Sequence, residues 1–280
     1  MKFLRLLDQV ISYDPIPTES TILTLLRSEE NIRSSDFTIV DFNWASYINS
    51  YGIAKTQVMV DSHLDRLTSS TIAVFICQHI MVESICWGRS VVFTPHCTEN
   101  SRTMPIAHYA CKYTSPHSLL SNRKTLCSFM GSGDTHVCRR EISNYLDLVP
   151  NSVFINTGSW YYDEPDEELS QRYSALLGDS VISLCPRGTG PSTIRIWEAL
   201  ASGSSPLIIS DSLSLPYPFN NKIPSIETNE LARLRTIVEY IQGLDKKVLD
   251  VLQKELVYEY RQYAANNTLH RPILDFIREN

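Results

Sequence analysis

The sequence predicts an α/β protein with mostly parallel sheets, and three observations carry that prediction. Short β-branched runs recur along the chain and are almost continuously apolar, as strands covered by helices on both faces are. Helical stretches separate them at the spacing of βαβ units. A polar, Pro- and Ser-rich stretch at Tyr113–Lys124 divides the runs into two groups of about four, so two Rossmann-like halves are expected.

In chain order, the first half has expected strands at Phe37–Phe42, Val58–Asp61, Ile72–Cys77 and Val91–Thr94. The second has them at Leu126–Met130, Val153–Asn156, Val181–Leu184 and Leu207–Ile209. Helices are expected over Thr135–Leu148, Asp166–Leu177, Ser192–Ser202, Asn229–Gln242 and Lys246–Ala265. The expected organisation is a domain over residues 1–122, a second over 123–268, and a tail, 269–280, packing back on the first. No internal repeat or low-complexity tract is present.

The 280 residues are 43% hydrophobic and 20% charged, and 31 acidic against 25 basic side chains leave a net charge of −6. That composition has enough apolar material for a core and excludes disorder as the main state. The sign of the charge argues against a nucleic-acid partner, because neutralising phosphates needs an excess of Lys and Arg. The seven cysteines are odd in number and scattered, and read as reduced thiols. No run reaches the roughly 18–20 apolar residues of a membrane span. Met1–Val10 is too short and too charged for a secretory leader. A cytoplasmic protein without a membrane span is expected.

The chemistry concentrates in SVISLCPRGTGPSTIRIWEALASGSSPLIISDSLSLP, residues 180–216. It reads as strand, Gly-rich turn, helix, Gly stop and strand. Gly188 and Gly190 allow a tight turn and close backbone approach to a ligand. Ser192 suits an N-cap, Gly203 a helix end. A helix start there suits a phosphate, with Arg187 and Arg195 beside it. Ser192, Arg195, Glu198 and Ser202 share one side of the helix, opposite Ile194, Trp197 and Ala201. Glu198, one turn in, is placed to accept hydrogen bonds from ribose hydroxyls, as carboxylates do in dinucleotide folds. The alternative is a solvated Arg195–Glu198 pair beside an ordinary turn.

This block resembles the core of exostosin-like glycosyltransferases, glycosyltransferase family 47. The shared positions are Pro186, Arg187, Gly188, Ser192, Arg195, Glu198, Ala199, Gly203, Pro206, Leu215 and Pro216. A second block, LCSFMGSGDTHVCRREI, resembles the same family through Phe129, Gly131, Ser132 and Arg139 or Arg140. The resemblance is good over Lys124–Pro216 and weak elsewhere.

It implies a GT-B fold, with the nucleotide-sugar on the second domain and the acceptor entering from the first. It implies a UDP-sugar donor, a glycan acceptor and inversion at the transferred carbon. Arg139 or Arg140 and Arg195 would face the diphosphate and Glu198 the ribose, while Gly131, Ser132, Gly190, Ser192 and Thr193 shape the phosphate loops. Compact algal-virus members of the family, some similar to xylosyltransferases of N-glycan synthesis, look nearest in size, which makes xylose the expected sugar and a host-cell cytoplasm the expected setting. The alternative is a binding member of the fold without turnover. Against the family's usual N-terminal anchor and stem, a chain without them is expected.

No D-x-D triplet occurs, so arginines and a helix dipole are expected to neutralise the diphosphate without an obligatory metal or other cofactor. The acidic run Asp163, Glu164, Asp166, Glu167 and Glu168 reads as a helix start, and His96, Cys97, His108 and Cys111 as a poor zinc set. Inversion requires a general base. His79, in ICQH, leads by its ordinary pKa; Asp41, in IVDFNW, and Asp61, in VMVDSH, follow, each at an expected strand end. Tyr161 and Tyr162 are candidates to stack on the base, and Trp160 to line a sugar subsite.

Overall fold

The computed structural model describes residues 2–5, 16–29, 36–68, 70–116, 118–146, 149–158 and 166–280. The chain divides into two compact units. Unit 1 comprises Met1–Tyr109, Ser214–Pro216 and Asn266–Asn280; unit 2 comprises Ala110–Leu213 and Tyr217–Ala265.

In unit 1, β1 (Lys2–Arg5), β2 (Phe37–Asp41), β3 (Ile72–Ile76), β4 (Val91–Thr94) and β5 (Met104–Pro105) lie side by side in chain order, all parallel. Helices α1 (Thr18–Ser28) and α2 (Trp44–Leu64) form the first two crossovers. All five residues of β2 are buried, which explains its unbroken apolar reading. Trp44, Phe75 and Trp87 meet edge-on or tilted at 4.9–5.6 Å in the core against α2.

The expected strand Val58–Asp61 is helix instead. Asn43 caps α2 by accepting the Ser46 N–H, and Gly52, at φ +78°, breaks it into two segments. In the second segment Thr56, Val60 and His63 are buried at helical spacing while Val58 is 69% exposed. A β-branched run imitates a strand locally; the four-then-three burial spacing, set by packing, decides for helix. The C-terminal helix α8 (Arg271–Glu279) belongs to unit 1, where Phe276 sets its edge against Phe37 and Phe93, each at 5.7 Å.

In unit 2 the strands are β6 (Thr125–Gly131), β7 (Ser152–Asn156), β8 (Ser180–Pro186), β9 (Ser205–Ile209) and β10 (Ser225–Ile226), again all parallel. Their order is β10-β9-β8-β6-β7. The chain goes one way from β6 to β7, then returns past β6 to lay β8, β9 and β10 on the other side. The reversal opens a crevice between the ends of β6 and β8, where open α/β sheets bind ligands. Helices α3 (Val137–Leu146), α4 (Glu167–Asp179), α5 (Arg195–Ala201), α6 (Arg233–Gln242) and α7 (Lys246–Glu259) complete the unit. Asp166 caps α4 by accepting the Leu169 N–H at 3.0 Å. All seven residues of the central β8 are buried, and its two serines pair with Ser128 and Ser204 at 2.6 and 2.7 Å.

Each unit thus contributes one five-stranded parallel sheet, the two-unit make-up of a GT-B fold. The division falls after Tyr109 rather than at residue 122, because the segment after Tyr109 is held by Glu198 of unit 2. The second unit ends at Ala265 rather than 268, and Ser214–Pro216 joins unit 1, where Ser214 N–H donates to the Cys97 carbonyl at 2.9 Å. Among the described residues no helix is long and apolar enough to cross a membrane.

Candidate nucleotide site

The crevice of unit 2 contains a cavity of about 130 Å³. Gly131 and Ser132 line it from the end of β6, Thr193, Arg195 and Glu198 from the loop after β8 and α5, and Leu169, Ser170 and Tyr173 from one face of α4. The α4 residues recur at three- and four-residue intervals, so one helical face meets the cavity.

Helix α5 is buried on every side. It does not begin at Ser192, as the sequence suggested. Thr193 and Ile194 first make tight turns, their carbonyls accepting the Ile196 and Trp197 N–H groups at 3.3 and 3.0 Å, and the helix starts at Arg195 without a side-chain cap. Gly203, at φ +67°, ends it.

Burying α5 all round brings Arg195 and Glu198 inside. Arg195 is 7% exposed, its guanidinium 4.6 Å from the Phe129 ring centroid and 5.6 Å from that of Tyr173. Nη2 donates to the Met130 carbonyl, while Nε and Nη1 are buried without a hydrogen-bond partner. Two unpartnered donor nitrogens on a buried cation are costly unless something anionic answers them. Gly131 makes the approach possible, since a Cβ there would stand 2.5 Å from Nη2.

Glu198 is 2% exposed. Its Oε1 accepts the Lys112 backbone N–H at 2.8 Å and its Oε2 the Tyr173 hydroxyl at 2.6 Å. Burial raises its pKa; the Tyr173 and Lys112 hydrogen bonds and the Arg195 charge pull the other way. Tyr173 and Lys112 are functional candidates that sequence reasoning missed. Neither belongs to a local motif, and only the fold brings them to α5.

The remaining second-half candidates separate clearly. Arg139 lines the cavity, but its Nε, Nη1 and Nη2 donate to the carbonyls of Arg187, Ser132 and Pro186 at 2.8, 3.1 and 3.1 Å. It braces the Pro-Arg-Gly turn, and burial, then the charge of Arg195, lower its pKa to about 10. Arg140 is exposed and faces Asp134 at 3.6 Å. Arg187 pairs with Asp211 at 3.3 Å. Ser132 Oγ donates to the Gly158 carbonyl at 2.7 Å, fixing the loop after β6. Gly188, Gly190 and Ser192 build the turn without lining the cavity. Tyr161, with Trp160, Tyr162, Asp163 and Glu164, lies outside the described residues.

Unit 1 holds the three candidate bases. Asp41 ends β2, buried and paired with Arg27. Asp61 is not at a strand end; it is exposed on α2, accepting from Gln57 at 2.8 Å, because its run is helix. His79 follows β3. Its Nδ1 accepts the Met81 N–H at 3.1 Å and its Nε2 sits 3.0 Å from Asn49 Oδ1, so the ring carries its proton on Nε2. Burial lowers its pKa. His96 and His108 pack edge-to-face at 5.1 Å with both Nδ1 atoms buried and unpartnered; burial, and then His79, lowers His96 to about 4, and burial, then His96, lowers His108 well below the usual range. Among the described residues no group of three or more His, Cys, Asp or Glu side chains is set to hold a metal ion.

Comparison with known proteins places the chain. The Exostosin GT47 domain matches residues 48–241, more than half of the sequence. The chain belongs to the exostosin GT47 family. Three relatives are similar to this GT47 chain. The probable glucuronoxylan glucuronosyltransferase IRX7 of Arabidopsis thaliana is 23% identical over 69% of this chain and 43% of its own. The ribitol-5-phosphate xylosyltransferase 1 of Danio rerio is 25% identical over 36% and 24%. The exostosin-1 homolog of Caenorhabditis elegans is 32% identical over 35% and 29%. The GT47 chain therefore spans less than half the length of each. Among solved structures, WaaG, a glycosyltransferase involved in lipopolysaccharide biosynthesis, aligns over the whole of both chains at 10% identity and a TM-score of 0.42. TarM aligns over 79% of this chain and 58% of its own, at 9% identity and 0.42.

Proposed function

We propose that this GT47 chain transfers a sugar from a UDP-sugar to a glycan hydroxyl with inversion. The observation that carries the proposal is Arg195, a buried cation with two unpartnered donor nitrogens, lining a cavity beside a buried carboxylate. A diphosphate meets the need of the guanidinium through charge-assisted hydrogen bonds, and Glu198 has acceptor capacity left for the ribose. Arg195 then offsets the negative charge that builds on the leaving diphosphate, and transfer is expected to persist in EDTA. Xylose is the sugar we assign, on the strength of a relative named as a xylosyltransferase; another is named as a glucuronosyltransferase, so UDP-glucuronic acid is the competing donor.

For the base we retain His79, neutral near pH 7 because burial lowers its pKa. To take the acceptor's proton at Nδ1 it must release the Met81 N–H.

A second reading has a specific observation behind it. His79 has both nitrogens engaged, Asp41 is ion-paired, and Asp61 lies on a helix. That is the arrangement of a nucleotide-binding member without turnover. One experiment separates the two: UDP release from UDP-xylose, UDP-glucuronic acid and other UDP-sugars, with a glycan acceptor. Release above the rate of a Glu198→Ala variant supports the enzyme. A UDP-induced rise in melting temperature without release supports the binding member. Neither release nor a rise sinks both.

A further inference from the structure

Resting on the nucleotide-site reading above, we propose that Tyr173 is the positioning residue of that site: one side chain of α4 sets both the ribose-facing carboxylate and the diphosphate-facing guanidinium. Its hydroxyl donates to Glu198 Oε2 at 2.6 Å. Its ring stands 5.6 Å from the guanidinium of Arg195, which Phe129 covers at 4.6 Å. Arg195 has a single hydrogen bond among the described contacts, so the two aromatic faces do most to hold its place.

The two halves of the tyrosine have separable jobs. The hydroxyl fixes the Glu198 rotamer and favours its charged form. The groups facing that carboxylate are Tyr173 from α4, Arg195 from its own helix, the Cys111 and Lys112 backbone N–H groups, and the Cys185 thiol from β8. Burial pushes the Cys185 thiol up to about 12, so it stays neutral. Removing the hydroxyl leaves burial less opposed, and the carboxylate protonates more readily as pH falls. The ring acts on Arg195 and is indifferent to the ribose.

The test compares UDP with inorganic pyrophosphate by calorimetry between pH 6 and 8. Tyr173→Phe is expected to bind pyrophosphate within about twofold of the parent but UDP about tenfold more weakly, the deficit widening toward pH 6. Tyr173→Leu, which removes the ring, is expected to weaken both. In the parent protein Glu198→Gln should show the same UDP deficit, and adding Tyr173→Phe to it should cost nothing more. A Tyr173→Phe protein that matches the parent for UDP across the range, or that loses UDP and pyrophosphate equally, overturns the proposal. Additive losses in the double variant overturn it as well, and Tyr173→His, which also keeps an aromatic ring without the hydroxyl, serves if Tyr173→Phe fails to fold. A parent protein that binds neither ligand refutes the nucleotide site itself.

Discussion

Unit 1 lays its five strands in chain order, whereas unit 2 doubles back after β7. Each also buries a glutamate that collects backbone N–H groups. Glu19, at the start of α1, is fully buried and accepts from Ala45 at 3.2 Å and Gln78 at 2.6 Å, tying the starts of α1 and α2 to the end of β3. Glu198 accepts from Lys112 and Tyr173 but lines the crevice that the reversal opens. A buried carboxylate is therefore not itself a sign of a ligand. What distinguishes the second is a cavity at a strand-order reversal and a neighbouring guanidinium with hydrogens to give.

The contrast breaks most directly at Glu19. Glu19→Ala strands one buried and one part-buried backbone donor and is expected to cost about 4 kcal/mol of stability. Urea denaturation of the purified variant reads it; a loss below about 1 kcal/mol would show that Glu19 is not a staple.

The buried titratable groups named in the two units should also answer acid in opposite senses. His96 titrates near 6.5 when unfolded and near 4 when folded, so the stability it lends unit 1 is present above 6.5 and drains away toward 4, about 3 kcal/mol in all. His108 is shifted the same way. Glu198 is shifted upward, so its contribution to unit 2 is present below its usual 4.5 and is lost as pH rises beyond that. Burial also lowers the pKa of His136 in unit 2, so hydrogen exchange of Phe75 and Leu184 amides at pH 5 and 7, corrected for intrinsic rates, should show unit 1 losing more protection than unit 2. Equal loss in both units would remove the distinction.

Within unit 2 the same logic separates two buried arginines. Arg139→Lys breaks donations to three carbonyls and should cost about 2 kcal/mol of stability. Arg195→Lys should leave stability within about 1 kcal/mol yet weaken UDP about thirtyfold. Thermal melts with and without UDP test the pair, and matching behaviour would refute the assignment. The smallest effect expected is at Asp61. Asp61→Asn should change stability by less than about 0.5 kcal/mol and leave turnover untouched. A large drop in sugar transfer would restore it as a candidate base.

The residues of unit 2 show why part of this was readable in advance. β8, α5 and β9 are consecutive, and their apolar runs, glycines and Arg195–Glu198 spacing state a local geometry. Tyr173 stands 25 residues before its partner and looks like any helical tyrosine. Arg139 and Arg195 are indistinguishable by residue type; only the carbonyls around one and not the other divide their roles. In unit 1 the β-branched run at 58–61 misled, because tertiary packing overrides intrinsic preference. The short edge strands β5 and β10, two residues each, are too brief for any periodicity.

Phe276 closes the core of unit 1 from the far end of the chain, between Phe37 and Phe93. A ribosome must therefore deliver every strand of unit 2 before the sheet that began first receives its last aromatic plug. Unit 2 can mature while its elder sibling is still waiting with the faces of Phe37 and Phe93 uncovered.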